Sequence, residues 1–228
     1  MLQSLPQVQI KVHSCTYIKD PESSDLGKRI ISGSIDLLEE MGFEKFTFRK
    51  LADFIKSTEA SVYRYFESKH KLLLYLTTWY WAWMKYRLMF EIANIDSAEE
   101  RLLKAVRLLT SEIDQDGTFE HINEIKLNHI VIADSFKSYF TKNVDKENQQ
   151  GAFATYKELV GRVSDIVLEI NPTYKYPHML VSTAIEGAHQ QRFFKEHLPK
   201  LTDRVKGEDA ITNFYTAIVM DSAKNKSQ

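Results

Sequence analysis

The chain of 228 residues has little glycine, little proline and almost no cysteine. Eight glycines and five prolines are few for this length, which favours helices over an architecture rich in turns. The single cysteine, Cys15, excludes an intramolecular disulfide and a zinc site built on cysteines. One unpaired cysteine also fits the reducing cytoplasm, where we expect the protein to act.

Long hydrophobic runs are missing as well. No window approaches the roughly 18 apolar residues that a membrane span needs, and the first residues lack the apolar core of a signal peptide. With 43% hydrophobic and 27% charged residues, the composition is that of an ordinary globular protein. We therefore predict no membrane partner.

The charge is nearly balanced, but it is unevenly distributed. The net charge of −1 gives no indication of a nucleic-acid partner. Between residues 49 and 71, however, six basic side chains accompany three acidic ones, which gives this segment a net charge of +3. A local basic segment in an otherwise acidic chain suits phosphate binding. On charge alone, a solvated helix face is an equally good interpretation.

Hydrophobic periodicity predicts an all-α chain. Helical patterns cover about 25–41, 48–55, 59–66, 68–93, a stretch from Ser97, 119–140, 152–170, 177–196 and 211–219. Gly42 is expected to end the first helix, because glycine adopts the left-handed conformation at low cost. The polar run 141–150 is expected to be an exposed loop.

We predict three parts in this chain. Residues 1–24 form an N-terminal arm, 25–73 a compact head of three helices, and 74–228 a larger helical body. A long fourth helix, which starts after Ser68, joins the head to the rest. Apolar and polar residues alternate over 7–17, which suits an extended arm that either reaches the minor groove or packs on its own subunit.

Residues 46–73 have the parts of a helix-turn-helix. Thr47 and Thr58 are suited to cap two short helices, and the small or polar residues Thr58 to Ser61 are suited to contact base edges. Tyr63 to Tyr65 are long enough to reach phosphates, and Lys69 lies where free backbone N–H groups also bind them. The predicted DNA-binding residues are Thr47, Arg49, Lys50, Thr58, Glu59, Ala60, Ser61, Tyr63, Arg64, Tyr65 and Lys69.

This segment resembles the tetracycline-repressor (TetR) family of transcriptional regulators. The matching residues are Arg29 to Ile31, Gly42, Phe43, Thr47, Leu51, Ala52, Thr58, Ala60 to Tyr63, Tyr65, Phe66 and Ser68 to Leu73. The run YRYFESKHKLL at 63–73 carries the most specific part, and the resemblance covers about 45 of the 228 residues. Lys56 stands where the family usually has a glycine in the turn. A positive φ at Lys56 would cost on the order of 1 kcal/mol.

The resemblance implies a homodimeric regulator, expected to be a repressor, that binds double-stranded DNA at a near-palindromic operator. Two heads would enter successive major grooves. It also implies an unknown small-molecule effector that binds in the body of the protein. The effector candidates are mostly aromatic, although aromatic stripes usually belong to the core. They are Trp79, Trp83, Tyr86, Phe90, His129 and Phe136.

The dimer interface is expected on two of the last long helices. One helix has apolar residues at spacings of four and three, which suits a partner helix, and the next has small residues that permit close approach. The candidate interface residues are Tyr156, Val160, Val163, Val167, Ala184, Gly187 and Ala188. The alternative is that these faces pack within one subunit.

Two other functions stay open. Glu186 and His189 form a Glu-x-x-His unit, from which di-iron sites in helical bundles are made, but such a site needs a second unit that the sequence lacks. No HExxH, P-loop or GxSxG motif is present. We therefore predict no enzyme, no catalytic residue, no metal and no cofactor. The other alternative is an interaction protein that keeps the head without specific DNA binding.

Overall fold

The structure, a computed structural model, describes residues 10–225, so the first nine residues of the predicted arm lie outside it. Every regular element in this range is helical, which confirms the all-α prediction. The helices are α1 (Asp25–Lys45), α2 (Phe48–Phe54), α3 (Glu59–Tyr63), α4 (Lys69–Glu91), α5 (Ala98–Thr110), α6 (Glu124–Asp134), α7 (Phe136–Tyr139), α8 (Val144–Gln149), α9 (Ala154–Ile170), α10 (Pro177–His197) and α11 (Ala210–Lys224). No described helix is long and apolar enough to cross a bilayer.

These helices form two compact units. The first comprises the chain up to Trp83 together with Ile113–Phe153, and the second comprises Met84–Glu112 and Ala154–Gln228. Helix α4 runs from the first unit into the second. The predicted functional borders at residues 24 and 73 stay a prediction. They differ from the compact units because α6 to α8 pack with the head helices.

Helix α1 is shaped by two glycines. Its helical geometry is interrupted at Gly42, where φ is 73°, close to the predicted helix end. Gly33 permits the close crossing of α1 and α2, since a Cβ at this position would lie only 2.5 Å from Cγ2 of Ile55. Arg29 on α1 donates to the backbone carbonyl of the same Ile55 at 3.3 Å. Helix α1 therefore sets the position of α2.

The described part of the arm packs on its own chain rather than extending from it. Ser14–Thr16 and Pro21–Ser23 are short 3-10 helices, so the extended arm predicted from the alternation is wrong for this part. Thr16 is fully buried. The N–H of Ile18 donates to the carbonyl of Tyr65 at 2.8 Å, which joins the arm to the segment that follows α3.

Most of residues 141–150 are exposed, as their polar composition predicted, but they are not a loop, because α8 forms there. Glu147 on α8 is 3% exposed. Its carboxylate lies 2.9 Å from Nζ of Lys71 and 3.1 Å from Nε2 of His70. Burial alone would raise the pKa of Glu147, but the hydrogen bonds from Lys71 and His70 outweigh burial and lower it. A buried ion pair thus attaches α8 to the start of α4.

The second unit is built around a buried guanidinium group. Arg192 on α10 is 7% exposed, and its Nε donates to the carbonyl of Thr110, the last residue of α5, at 3.0 Å. Its Nη1 lies 3.2 Å from Glu112, and its Nη2 lies 2.7 Å from Asp209, which caps α11. One side chain therefore joins three helices at their ends.

Replacing Arg192 with alanine should lower the free energy of unfolding by about 1–3 kcal/mol, because the buried carbonyl of Thr110 loses its donor. The matched control is Lys195→Ala. Lys195 contacts the same Glu112 at 2.7 Å from an exposed position, so its loss should cost less than about 1 kcal/mol. Urea denaturation followed by circular dichroism measures both. Equal losses in the two variants would contradict the central role of Arg192.

Candidate DNA-binding site

Both short helices of the helix-turn-helix begin at a threonine cap, as predicted. Oγ1 of Thr47 accepts the N–H of Lys50 at 3.3 Å, and Oγ1 of Thr58 accepts the N–H of Ser61 at 3.2 Å. Helix α3 (Glu59–Tyr63) is shorter than the predicted 59–66. The caps place the first residues of α3 at a defined helix end with partly unsatisfied N–H groups.

The turn between α2 and α3 depends on a lysine in the left-handed conformation. Lys56 has a φ of 53°, so of the two alternatives that its place in the turn left open, a positive φ or a different turn, the structure has the positive φ. The N–H of Lys56 donates to Asp53 at 3.3 Å, and the N–H of Ser57 donates to Ala52 at 2.8 Å. This pair of bonds is the Schellman arrangement that ends many helices, usually on glycine. The turn keeps this geometry at the expense of strain at Lys56.

Most of the predicted DNA-binding side chains lie on the protein surface. The exposed ones are Thr47, Arg49, Lys50, Thr58, Glu59, Ala60, Tyr63 and Arg64. The ring of Tyr63 packs against Phe48 with the centroids 4.9 Å apart, yet 48% of Tyr63 remains exposed. Arg64 donates to Oγ of Ser61 at 3.1 Å. The surface is polar and basic, as contact with DNA requires.

Tyr65 is a correction to the predicted site. It is only 3% exposed, and its hydroxyl lies 2.7 Å from Oγ of Ser24. The ammonium group of Lys19 lies over its ring, 5.0 Å from the centroid. The arm covers this side chain, so the predicted contact between Tyr65 and phosphate is wrong. The sequence pattern, in which aromatic residues alternate, does not show which of their side chains points into the core.

Lys69 has a different role from the one predicted for its charge. Its Nζ donates to the backbone carbonyls of Phe43 at 3.0 Å, and of Glu44 and Phe46 at 3.4 Å each. It also lies 4.5 Å from the ring centroid of Phe43. An ammonium group has three N–H donors, and three carbonyls at the end of α1 use them. The backbone N–H of Lys69 therefore remains the better candidate for a phosphate contact than its side chain.

The effector candidates Trp79 and Trp83 are buried in the first unit. They are 1% and 0% exposed, and their rings stack with centroids 6.3 Å apart. Nε1 of Trp83 donates to Asp116 at 2.9 Å, which makes Trp83 part of the core. Trp79 lines a pocket of about 340 Å³ within the first unit.

The structure does not bring the other effector candidates to that pocket. Tyr86 and Phe90 belong to the second unit, with ring centroids 4.7 Å apart, and Phe90 is 66% exposed. His129 is exposed and lies 3.3 Å from Glu39 on α1. Phe136 is 44% exposed. The helical spacing of the aromatic residues on α4 suggested a single site. It does not show that the first two rings belong to one compact unit and the last two to the other.

The candidate dimer residues are a second correction, because they pack within one subunit. Five of them are nearly inaccessible, namely Val160, Val163, Val167, Ala184 and Ala188. Gly187 faces α11, since a Cβ there would lie 2.3 Å from the hydroxyl of Tyr215. Tyr156 donates its hydroxyl proton to Glu186 at 2.8 Å. The apolar face (the seam) predicted for this interface exists on α9, but it packs against α5, α10 and α11 of the same chain.

The Glu-x-x-His unit of α10 belongs to this interior. Glu186 accepts the hydrogen bond from Tyr156 at 2.8 Å, and His189 is 6% exposed. Burial, and after it the nearby charge of Arg192, lowers the pKa of His189 to about 4. Within residues 10–225 no group of three or more His, Cys, Asp or Glu side chains is arranged to hold a metal.

Fold and site together define an all-helical protein whose N-terminal helix-turn-helix presents a basic, polar face for DNA. The model of the bacterial regulatory proteins of the tetR family matches residues 30–76. Residues 30–76 are therefore similar to the N-terminal helix-turn-helix domain of that family, and this domain supports a DNA-binding transcriptional regulator. None of the curated proteins matches the chain.

Two solved structures show the same fold over most of the chain. The crystal structure of the superantigen PfiT has a TM-score of 0.55 at 18% identity, and the match covers 89% of this chain and 97% of that one. The fatty acid degradation regulator FadR from Bacillus halodurans has a TM-score of 0.54 at 13% identity, with 87% and 98% covered. At these identities the likeness concerns the fold alone.

Replacing Lys56 with glycine should raise the free energy of unfolding by about 1 kcal/mol, because glycine adopts a positive φ without strain. The control is Lys56→Ala, which removes the same charge and keeps the strain, so it should bring no gain. Chemical denaturation of both variants measures the difference. If alanine stabilises the protein as much as glycine does, the left-handed turn is not a source of strain.

Proposed function

We propose that the protein is a homodimeric repressor of transcription that binds a near-palindromic operator in the cytoplasm and responds to a small-molecule effector. The observation that carries the proposal is the exposed, capped start of α3. Thr58, Glu59 and Ala60 are all exposed there, and none of them belongs to the packed interior. A recognition helix contacts base edges with its first residues.

In the proposed complex, different residues position the head and select the sequence. Arg49, Lys50 and Arg64 carry exposed positive charges suited to phosphates on either side of the groove. Glu59 is suited to accept a hydrogen bond from the amino group of cytosine. The N–H groups at the start of α4 supply a further phosphate contact.

The proposed dimer uses an apolar surface other than the buried seam. On α11, Phe214 and Ile218 lie one turn apart and are 56% and 40% exposed. On α10, Met179 is 66% exposed. Because α10 and α11 pack against each other, their exposed sides form one surface suited to a second copy. Symmetric pairing would place two heads on half-sites about one helical turn apart.

Fragments of genomic DNA selected by the purified protein should share a near-palindromic sequence. On the selected site, Arg49→Ala should weaken binding to all sequences and reduce the salt dependence of log K by about 2, since each of the two heads loses one phosphate contact. Glu59→Ala should relax the preference at one base pair, by about 1–3 kcal/mol. Fluorescence anisotropy measures both effects.

The control in these titrations is Lys175→Ala. It removes an exposed positive charge from the second unit and should leave affinity and salt dependence unchanged. Selection of no common sequence would reject the regulator in favour of an interaction protein. Equal effects of the Arg49 and Lys175 changes would reject the proposed docking.

Phe214→Glu should convert the dimer to a monomer, because it places a charge in the proposed apolar interface. Operator affinity should fall with it, since each head then binds one half-site alone. Sedimentation velocity measures the oligomeric state, and Met89→Glu, at another exposed apolar residue, is the control. A variant at Phe214 that remains a dimer would show that the interface lies elsewhere.

A further inference from the structure

The N-terminal arm closes one side of a pocket in the first unit. The pocket has a volume of about 340 Å³, within the range of sites for small molecules. Arm residues form one wall, Tyr75 and Trp79 of α4 form the inner end, and residues 118–121 form the opposite wall. Every lining residue belongs to the first unit, which also contains the helix-turn-helix.

The pocket is lined with aromatic rings at its inner end. Tyr17 and Tyr75 meet edge to face with centroids 6.0 Å apart, and Trp79 and Phe119 meet in the same way at 5.2 Å. Tyr75 and Trp79 are each 1% exposed, so they are buried within the wall rather than being surface residues. Aromatic rings of this kind bind apolar groups and attract cations to their faces.

The carboxylate of Glu22 lies beside these rings, and, among the residues that the structure describes, only one of its two oxygens is hydrogen-bonded. Oε1 of Glu22 is 2.8 Å from Nε2 of His121 and 3.5 Å from the hydroxyl of Tyr75. The second oxygen, Oε2, has no hydrogen-bond partner among residues 10–225. Since the side chain of Glu22 is 21% exposed, a ligand in the pocket can reach that oxygen.

Acidic side chains line the pocket, namely Asp20, Glu22 and Glu120. Burial raises the pKa of Tyr75, and the negative charges of Glu22 and Asp20 raise it further. Carboxylates close to a ligand favour a cation over an anion. The two lysines that also line the pocket, Lys11 and Lys28, are exposed, so solvent screens their charges.

We propose that this pocket binds a small organic cation, an amine attached to an apolar or aromatic group. The ammonium group binds Oε2 of Glu22, and the apolar group packs against the half-buried ring of Tyr17. That the ligand acts as an effector rests on the proposed function. The binding site itself does not depend on it.

The arm connects this pocket to the helix-turn-helix through hydrogen bonds. Tyr17 and Glu22 line the pocket, and between them Ile18 donates its N–H to the carbonyl of Tyr65 at 2.8 Å. Ser24 holds the hydroxyl of the same Tyr65. Tyr65 follows the recognition helix by two residues. A ligand that orders the arm therefore acts on the end of α3, and operator DNA must change the affinity for the amine by the same factor.

The first test compares three probes on the full wild-type chain by calorimetry and tryptophan fluorescence. Phenethylamine, 2-phenylethanol and phenylacetate share a ring and differ in charge. Phenethylamine should bind at least about tenfold more tightly than the alcohol, and phenylacetate should bind most weakly. Equal affinities, tighter binding of phenylacetate, or no binding of the amine at millimolar concentration would overturn the proposal.

The second test asks whether the carboxylate of Glu22 binds the ammonium group of the ligand. Glu22→Gln should reduce the affinity for phenethylamine to that for the alcohol, and should leave the affinity for the alcohol unchanged. Glu40→Gln, the same change at an exposed residue of α1 outside the pocket, should alter neither. Retained binding of the alcohol also shows that the Glu22 variant is folded. Tyr17→Leu, which keeps an apolar wall, should weaken amine binding more than alcohol binding.

Parallel titrations with selected DNA separate this inference from the proposed function. Amine binding without any DNA binding would reject the regulator and leave the pocket assignment standing. DNA binding without amine binding would reject the pocket assignment alone. Amine binding that leaves operator affinity unchanged would reject the coupling through the arm.

Discussion

The ammonium group of Lys69 is the interaction on which the DNA-binding head depends. It donates to three backbone carbonyls, those of Phe43, Glu44 and Phe46, at the point where α1 ends and the chain turns into α2. Helix ends leave such carbonyls without partners, and a buried carbonyl without a partner is costly. One cation on the first residue of α4 satisfies all three. The start of α4 is thereby attached to the end of α1 and to the segment that leads into α2.

Tyr65 likewise joins two parts of the chain through more than one hydrogen bond. Its carbonyl and its hydroxyl are held by Ile18 and Ser24, so the arm and the helix-turn-helix share one buried side chain. The pocket beside Glu22 is built from that arm. The proposed ligand pocket and the helix-turn-helix both lie within the first compact unit, whereas the surface proposed for pairing lies on the second unit, which Arg192 organises. The two units thus have different tasks in the proposed regulator.

The predictions that the structure confirms concern features that depend on interactions between residues close together in the sequence. The caps at Thr47 and Thr58 and the positive φ at Lys56 follow from bonds within a few residues of the chain. Predictions about Tyr65 and the seam at Val163 failed for the opposite reason. Each depended on which distant segment covers a side chain, and neither spacing nor charge contains that information. The polar run at 141–150 became helical because Glu147 meets Lys71, a partner far away in sequence.

By itself, the sequence determined the helical class, the helix-turn-helix and the resemblance of that segment to a regulator family, because periodicity, caps and turn residues act over short distances. Only the tertiary structure decided which of the aromatic and basic residues at 63–69 remain open to DNA. It also decided that the seam of α9 is interior, and that a carboxylate and four rings meet behind the arm. Burial and charge pairing are properties of the packed chain, and they assign the final role of each side chain.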